Sequence, residues 1–582
     1  MSERKHGRGR LMTGVAAASV LWAGWGGWGC EAPLFDDSPD VARVDRSRLK
    51  GIDRRSLAEY LRPAPPAGEG AGEGAGSMEA RIAASRARFE GAERSEVSLE
   101  ECRLWALSNN LDIRVALVDP AVAGERVGEE AARFESLFTL NARWSDLNQP
   151  TSSTLASAQS QNLRVEPGVR VPLRTGGTAS ITLPWNQNEN NNAFATLNPS
   201  YASDFEFSVS QPLLRGAGRR ANLAALRIAR YEEDAAWART KVEVMRQLAT
   251  VDRAYWGLYR AQRELEVAQQ QFELATAQLE SARRRERAGA VSEVEVIRAE
   301  AGAASRLEAI ILAQNDVRTR QRELKRIVNR PGLALESPTV LVAATPPDPV
   351  EYGFDPGALV AVSLANRMEL LELELKLAGD AASVALEKNQ ALPLFTLDYV
   401  YRVNGLGSSS QDAAKMARDG DFQDWEIGLN AEVPLGNERA RSRVRQAILT
   451  RLARLSTKEA RELSIRQEVL SAVDQMDAGW ERIMAARQSV VLSTRAFQAE
   501  QRQFDLQRST STDVLDAAAR LAEAQVAEVR AVVDYQIAQV DLAFATGTLL
   551  GQGKIEFEAV ARPSHRGEAP AEEVRWGDGA GR

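Results

Sequence analysis

The sequence of 582 residues predicts an α+β fold in which short strands lead into very long helical hairpins, the whole unit occurring twice. Three observations carry this. An internal repeat aligns Ala106-Leu-Ser-Asn109-Asn-Leu-Asp-Ile113 with Ser363-Leu-Ala-Asn366-Arg-Met-Glu-Leu370, and later matches keep the same order in both copies. Each copy holds strands of period-2 alternation. From Arg219 to Arg287 there is no proline and Gly257 is the only glycine. At 1.5 Å per residue, that stretch makes a helix on the order of 100 Å.

Composition removes several functional classes. The net charge is -7, with Arg and Glu mixed through the helical stretches, which gives no reason to expect nucleic acid. The two histidines, His6 and His565, lie in terminal segments, so a His-based catalytic or metal centre is not expected. No nucleophile and base stand together in the sequence. Neither an enzyme nor a cofactor is anticipated.

Residues 1–30 read as an export signal. Lys5, Arg8 and Arg10 form the positive region, and Leu11 to Trp28 the apolar one. Cys30 follows Gly29 as in a lipoprotein cleavage site, although Gly27 stands where Leu is usual. Three readings stay open: lipidation of Cys30, an ordinary signal with an incidental cysteine, or an uncleaved anchor. Cys102 lies in a helical pattern and reads as a small core residue. Residues 31–97 form a polar extension with a flexible linker at Pro63-Ala-Pro-Pro66 and Gly68 to Gly76. After residue 30 no run of about 18 apolar residues occurs. A membrane crossing by the mature chain therefore requires strands in a closed barrel.

The first repeat spans 98–332 and the second 355–550, each reading helix, strand, strand, long helix, long helix. Ser98-Leu-Glu-Glu opens the first with a capping box. Leu137-Phe-Thr-Leu140 matches Leu394-Phe-Thr-Leu397, and Gln211-Pro212-Leu-Leu-Arg-Gly matches Val433-Pro434-Leu-Gly. Gly257 matches Gly479, and Asn329 matches Gly547. Phe138, Leu140, Ala142 and Trp144 share one strand face, as do Phe205, Phe207 and Val209. In the second copy the same holds for Phe395, Leu397, Tyr399, Tyr401 and Val403, and for Trp425, Ile427, Leu429, Ala431 and Val433. The opposite faces are mostly polar. Such strands occur in soluble half-buried sheets too, but here there is no globular α/β partner for them. Each suits a tilted transmembrane strand. Four strands cannot close a membrane barrel, for which about eight is the practical minimum, so the barrel requires an oligomer. The connection from Gln149 to Asp204 is long and polar, and Gly168 to Gly177 within it reads as an extra hairpin outside the barrel.

Leu248, Val251, Tyr255, Leu258, Leu265, Phe272 and Leu279 fall on heptad core positions, interrupted by Gln262, Gln269 and Thr276. Leu470, Val473, Trp480, Met484 and Val491 continue the matching register in the second copy. The tips of the hairpins fall at Arg287-Ala-Gly289-Ala-Val and Arg508-Ser-Thr-Ser-Thr-Asp513-Val-Leu-Asp516. Asp513 suits the positive start of the last helix. Asp516, one turn on, is less easily explained by capping. In a rotationally symmetric oligomer both would form rings of negative charge.

In the order and spacing of these features, residues 98–550 resemble the TolC-like outer-membrane efflux proteins. The resemblance rests on the repeat, the Gln211-Pro-Leu-Leu-Arg-Gly216 strand exit, the Ala288-Gly-Ala-Val-Ser-Glu-Val-Glu-Val-Ile-Arg-Ala-Glu300 turn and the Asp513-Val-Leu-Asp516-Ala turn. It implies a homotrimer in outer-membrane lipid. A twelve-stranded barrel, four strands per chain, would be continued by a periplasmic helical barrel. Implied partners are a periplasmic adaptor and an inner-membrane RND, ABC or MFS pump. Asp513 and Asp516 then occupy the periplasmic constriction, and Gly289, Ala290 and Val291 the adaptor-contacting turn. Leu506-Gln-Arg508 departs from the family's pattern at the second tip. Residues 551–582 lie outside the resemblance and read as a disordered tail. The alternative function is a lipid-anchored periplasmic coiled-coil scaffold with no pore.

Overall fold

The computed structural model describes residues 93–151, 157–289, 291–506, 508–552, 555–556 and 577–578. The expected export signal, Cys30 and the linker before residue 93 lie outside them, as do Ala290 and most of the expected tail. Among the described residues no helix is long and apolar enough to cross a membrane.

The strand β1 (Arg94–Val97) precedes the first copy, which opens with α1 (Leu99–Asn109) and α2 (Leu111–Ala132). The strands β2 (Leu137–Asn148), β3 (Gln159–Pro172), β4 (Thr178–Thr182), β5 (Trp185–Asn190), β6 (Ser200–Ser203) and β7 (Phe205–Pro212) come next. A short α3 (Arg219–Asn222) leads into the hairpin of α4 (Ala224–Arg287) and α5 (Glu293–Val328). The second copy follows β8 (Val340–Ala343). It has α6 (Pro356–Asn366), α7 (Met368–Gln390), β9 (Leu394–Val403), β10 (Leu406–Gly407), α8 (Ser410–Asp419) and β11 (Gln423–Glu432). Its hairpin is α9 (Glu438–Asp505) with α10 (Ser511–Ala545), and α11 (Leu549–Gln552) follows.

The capping box at α1 forms as the sequence indicates. The Ser98 hydroxyl accepts from the Glu101 amide, and the Glu101 carboxylate accepts from Ser98 N–H at 2.9 Å. β1 was not anticipated. It pairs in parallel with β8, the strand that follows the first hairpin, so the lead-in and the inter-repeat linker are joined. Both rest on the α4/α5 hairpin. The buried Tyr255 phenol donates to Val97 C=O and accepts from Thr345 N–H at 2.8 Å. Gln262 donates to Leu341 C=O and accepts from Ala343 N–H. The polar interruption in the heptad stripe thus satisfies strand backbone that packing would otherwise strand without water. Cys102 is buried in the same cluster, and desolvation pushes its thiol up to about 12.

The sheet is wider than the four strands read from sequence. Nine strands join in antiparallel pairings, and three consecutive pairs (β4/β5, β6/β7, β9/β10) run on across breaks of one or two residues. Six strand positions result, in the order β2, β3, β4/β5, β6/β7, β9/β10, β11. The expected strands are all present. The difference comes from the Gln149–Asp204 connection, whose Gly168–Gly177 hairpin lies inside the sheet rather than outside it. Its alternation is legible in Val165, Val169 and Val171, but Pro167 and the glycines hide it. Gly168 is needed there, since a Cβ would come within 2.7 Å of the Thr182 methyl.

Leu248, Val251, Tyr255, Leu258, Phe272 and Leu279 are buried along α4, as the heptad indicates. In α9 the stripe differs from the expected one. Ile465, Val469, Ala472, Met476, Gly479 and Ile483 form the buried seam, with Val473 beside it. Leu470, Met484 and Val491 are 45%, 53% and 45% exposed. The seam uses Ala472 and Gly479 where an apolar count looks for large side chains. Gly479 lets the ring of Tyr535 approach so closely that an added Cβ would lie 3.2 Å from it.

Candidate functional site: the hairpin tips and the outer sheet

The first tip is made by the end of α4. Ala288 N–H bonds to Arg284 C=O, Gly289 N–H to Glu286 C=O, and Gly289 takes φ +75°. A left-handed residue there turns the chain and favours glycine. Ser292 then starts α5, with Glu293 and Glu295 in its first turn. Four arginines, Arg283, Arg284, Arg285 and Arg287, crowd the last turns of α4, where the helix dipole favours cations. Of the turn singled out by sequence, Gly289 and Val291 are described and Ala290 is not.

At the second tip Thr510 is the cap and Asp513 completes a capping box. The Thr510 hydroxyl donates to Asp513 Oδ2 at 2.6 Å, and Thr510 N–H donates to the same oxygen at 3.0 Å. Ser509 adds a bond to Asp513 at 3.2 Å and another to Glu500. The bond from the Thr510 side chain, then that from its backbone, holds the Asp513 carboxyl below the ordinary 3.8. Asp513 therefore stays ionised through the neutral range while remaining fully exposed. Asp516 is exposed one turn further on, outside the buried line of Ser511, Val514 and Ala518. Both carboxylates stand on one side of the helix start.

The two tips touch. The Arg285 guanidinium stacks 4.1 Å from the Phe504 ring centroid, joining α4 to α9. Leu515 of α10 packs on the Ala275–Leu279–Ala299–Ala303 cluster of the first hairpin, where Gly302 leaves room for its methyl. Sequence reading missed these contacts and the Ser509–Glu500 bond. The sequence suggests Asp513 as the cap, and the Thr510-x-x-Asp513 spacing is the signal that places it at Thr510 instead.

At the other end of the hairpins the sheet has two unlike faces. Residues opposite one another in antiparallel pairs share a face. One row therefore runs Phe138, Val169, Ile181, Phe207, Tyr401, Trp425 across all six positions. The next row on the other face runs Thr139, Gly168, Thr182, Glu206, Arg402, Asp424. Arg402 donates to Glu206 at 2.9 Å on that polar side. The apolar face is open in the single chain: Phe138 is 70%, Trp144 65% and Trp425 68% exposed. The arrangement can separate an oily exterior from a charged interior.

Comparison with known proteins agrees with this geometry. The family described as outer membrane efflux protein matches residues 177–330 and 359–548. The Vibrio cholerae outer membrane protein TolC is 27% identical over 335 residues, 56% of this chain and 73% of that protein. The Escherichia coli K12 outer membrane protein TolC is 25% identical over 320 residues, 53% of this chain and 63% of that one. Among solved structures, the Campylobacter jejuni CmeC outer membrane channel aligns with a TM-score of 0.58 at 16% identity, covering 78% of this chain and 86% of its own. The Vibrio cholerae outer membrane protein VceC aligns with a TM-score of 0.56 at 16% identity, covering 77% and 96%. At such identities the structural likeness speaks for the fold.

Proposed function

The chain belongs to the outer membrane efflux protein family, and from that premise we propose that it is the exit duct of a tripartite efflux or type I secretion system. It resides in the outer membrane, with its helices in the periplasm. In this reading three copies close one barrel through their sheet edges. Residues 98–332 and 355–550 serve as the repeats of each protomer. Substrates arrive from an inner-membrane RND, ABC or MFS pump through a periplasmic adaptor and pass outward without chemical change. The Gly289–Val291 turn receives the adaptor, rings of Asp513 and Asp516 narrow the periplasmic end, and a lipid on Cys30 adds a membrane anchor.

One observation carries the reading: six strand positions turn a continuous apolar face outward, and the same chain continues into two hairpins whose tips meet. A pore-free scaffold would have to keep that face, with Phe138, Trp144 and Trp425 open, in water. A contiguous apolar surface of that kind marks a partner or a lipid phase.

The test is single-channel conductance in planar bilayers. Because Asp513 also closes the capping box, Asp513→Asn/Asp516→Asn is the informative variant: it removes charge while keeping an acceptor. The wild type should show a small, cation-selective conductance, and the variant a larger and less selective one. A folded preparation with no conductance from either protein would overturn the channel. An unchanged variant would remove the two aspartates from the constriction.

A further inference from the structure

We propose that the Gln159–Thr182 hairpin is a membrane element, so that each protomer contributes six strands and the trimer an eighteen-stranded barrel in place of the twelve the family resemblance implies. The proposal rests on the outer-membrane trimer of the preceding section and concerns the width of its barrel.

Two independent features argue for it. First, β3 is level with β2 over the full length of β2, from Leu137 opposite Arg170 to Asn148 opposite Gln159. β4 fills the space between β3 and β7, so β3 and β7 do not pair with each other. Over the half of the sheet nearer the helices the hairpin continues the apolar face, while further out the same side carries Gln187 opposite Leu163 and Glu189 opposite Gln161. Val169 and Ile181 lie in the row from Phe138 to Trp425, and Val171 and Ala179 in the next row with Val209, Tyr399 and Ile427. Its other face, with Arg164, Glu166, Arg170, Ser180 and Thr182, is as polar as that of its neighbours. An extracellular flap would have no reason to alternate in phase with the lipid side of the strands beside it.

Second, the hairpin's turn is docked at the helix end of the sheet. Thr175 C=O accepts from Gly218 N–H at 2.8 Å, and the Thr175 hydroxyl donates to the Gln211 side chain at 2.8 Å. Gly176, at φ +94°, sits where any Cβ would strike Gly216 C=O at 2.1 Å. A tight five-residue turn pressed against the strand exit is the short periplasmic connection of a membrane barrel. The edges suit closure by a second copy. With six antiparallel positions, β11 and β2 run in opposite directions, so β11 of one protomer meets β2 of the next as an ordinary antiparallel pair. Barrel diameter grows nearly linearly with strand number, so the outer opening is about 1.5 times that of a twelve-stranded barrel.

Conductance reads the narrowest point of the duct, so the test is local. Nitroxide labels are placed through Val169→Cys, Ile181→Cys, Arg170→Cys and Ser180→Cys, with Leu140→Cys and Leu429→Cys as references and the unsubstituted chain as background. In proteoliposomes, collision with dissolved oxygen is compared with collision with a water-soluble nickel chelate. Val169 and Ile181 should favour oxygen as Leu140 and Leu429 do, while Arg170 and Ser180 favour nickel. Val171→Cys and Ala179→Cys repeat the comparison on the adjacent row if a label disturbs assembly. Nickel dominance at both hairpin rows, with the references still facing lipid, would overturn the eighteen-stranded barrel and leave the channel. Nickel dominance at Leu140 and Leu429 as well would overturn both.

Discussion

The two copies of the repeat meet the same structural demand with different chemistry, most clearly where the entry helices join the ends of the hairpins. Asn110 begins α2 and Arg367 begins α7, at matching positions. Asn110 accepts from the amides of Asp112 and Ile113, and its Nδ2 donates to Ile327 C=O at 2.9 Å. Arg367 sends Nη1 to Ala545 C=O at 3.1 Å, and Ala545 is the counterpart of Ile327. The guanidinium also holds Glu369 at 2.9 Å and Glu468 at 2.8 Å, and stacks near Phe544. Arg461 bridges the same two carboxylates. What the duplication keeps is the carbonyl that must be satisfied; the residue type that satisfies it is free to change. One junction is a small neutral cap, the other a charge cluster around the buried Arg367 whose partners are partly exposed.

Removing Arg367 should separate the two junctions most strongly. Arg367→Ala orphans Ala545 C=O and leaves the carboxylates to Arg461 alone, at a cost of about 3 kcal/mol. The thermal midpoint in detergent, at fixed scan rate, should fall clearly, and Arg367→Asn should recover only the cap. The second difference is acid sensitivity. Burial works to raise the Glu369 carboxyl, but the Arg367 hydrogen bond and charge outweigh it and hold it below the ordinary 4.5. A depressed carboxyl stabilises above its unfolded value, and the contribution is lost as pH falls through the folded one. Stability of the wild type should therefore drop below about pH 4.5, and that drop should shrink in Arg367→Ala. An equal drop in both proteins would place the acid sensitivity elsewhere.

Asn110→Ala should cost less, about 1–2 kcal/mol, with no added pH dependence. The smallest contrast lies at the matched glycines. Near Gly257 the nearest obstacle to a Cβ is the flexible Arg320 at 3.8 Å, so Gly257→Ala should stabilise by about 0.5–1 kcal/mol. At Gly479 the Tyr535 ring stands at 3.2 Å, so Gly479→Ala should lose that gain. Equal midpoints for the two alanine variants would mean that the α9/α10 seam repacks freely.

The sequence made the repeat, the strand alternation and the first heptad legible because each writes large apolar side chains at a fixed period. The second seam was misread where Ala472 and Gly479 pack as core without looking like core. β1 was missed because four residues of Arg-Ser-Glu-Val carry no period of their own, and their partner lies some 246 positions away. The extra hairpin was found but misplaced, since position in a sheet follows from pairing and not from the hairpin's own pattern. At the tips, Thr510 and Asp513 could be read from capping chemistry. The Arg285–Phe504 stack required the two hairpins to be brought side by side.

The grip of Tyr255 and Gln262 on β1 and β8 falls roughly half-way along α4, leaving about 48 Å of helix on either side. A fixed point in the middle of a stiff rod makes it a lever with equal arms. Tilting the rod by about 5° about that fulcrum sweeps the Gly289 turn through roughly 4 Å and swings the sheet end by a like amount the other way. The width of the duct at its far end is thus set by small angles at its waist.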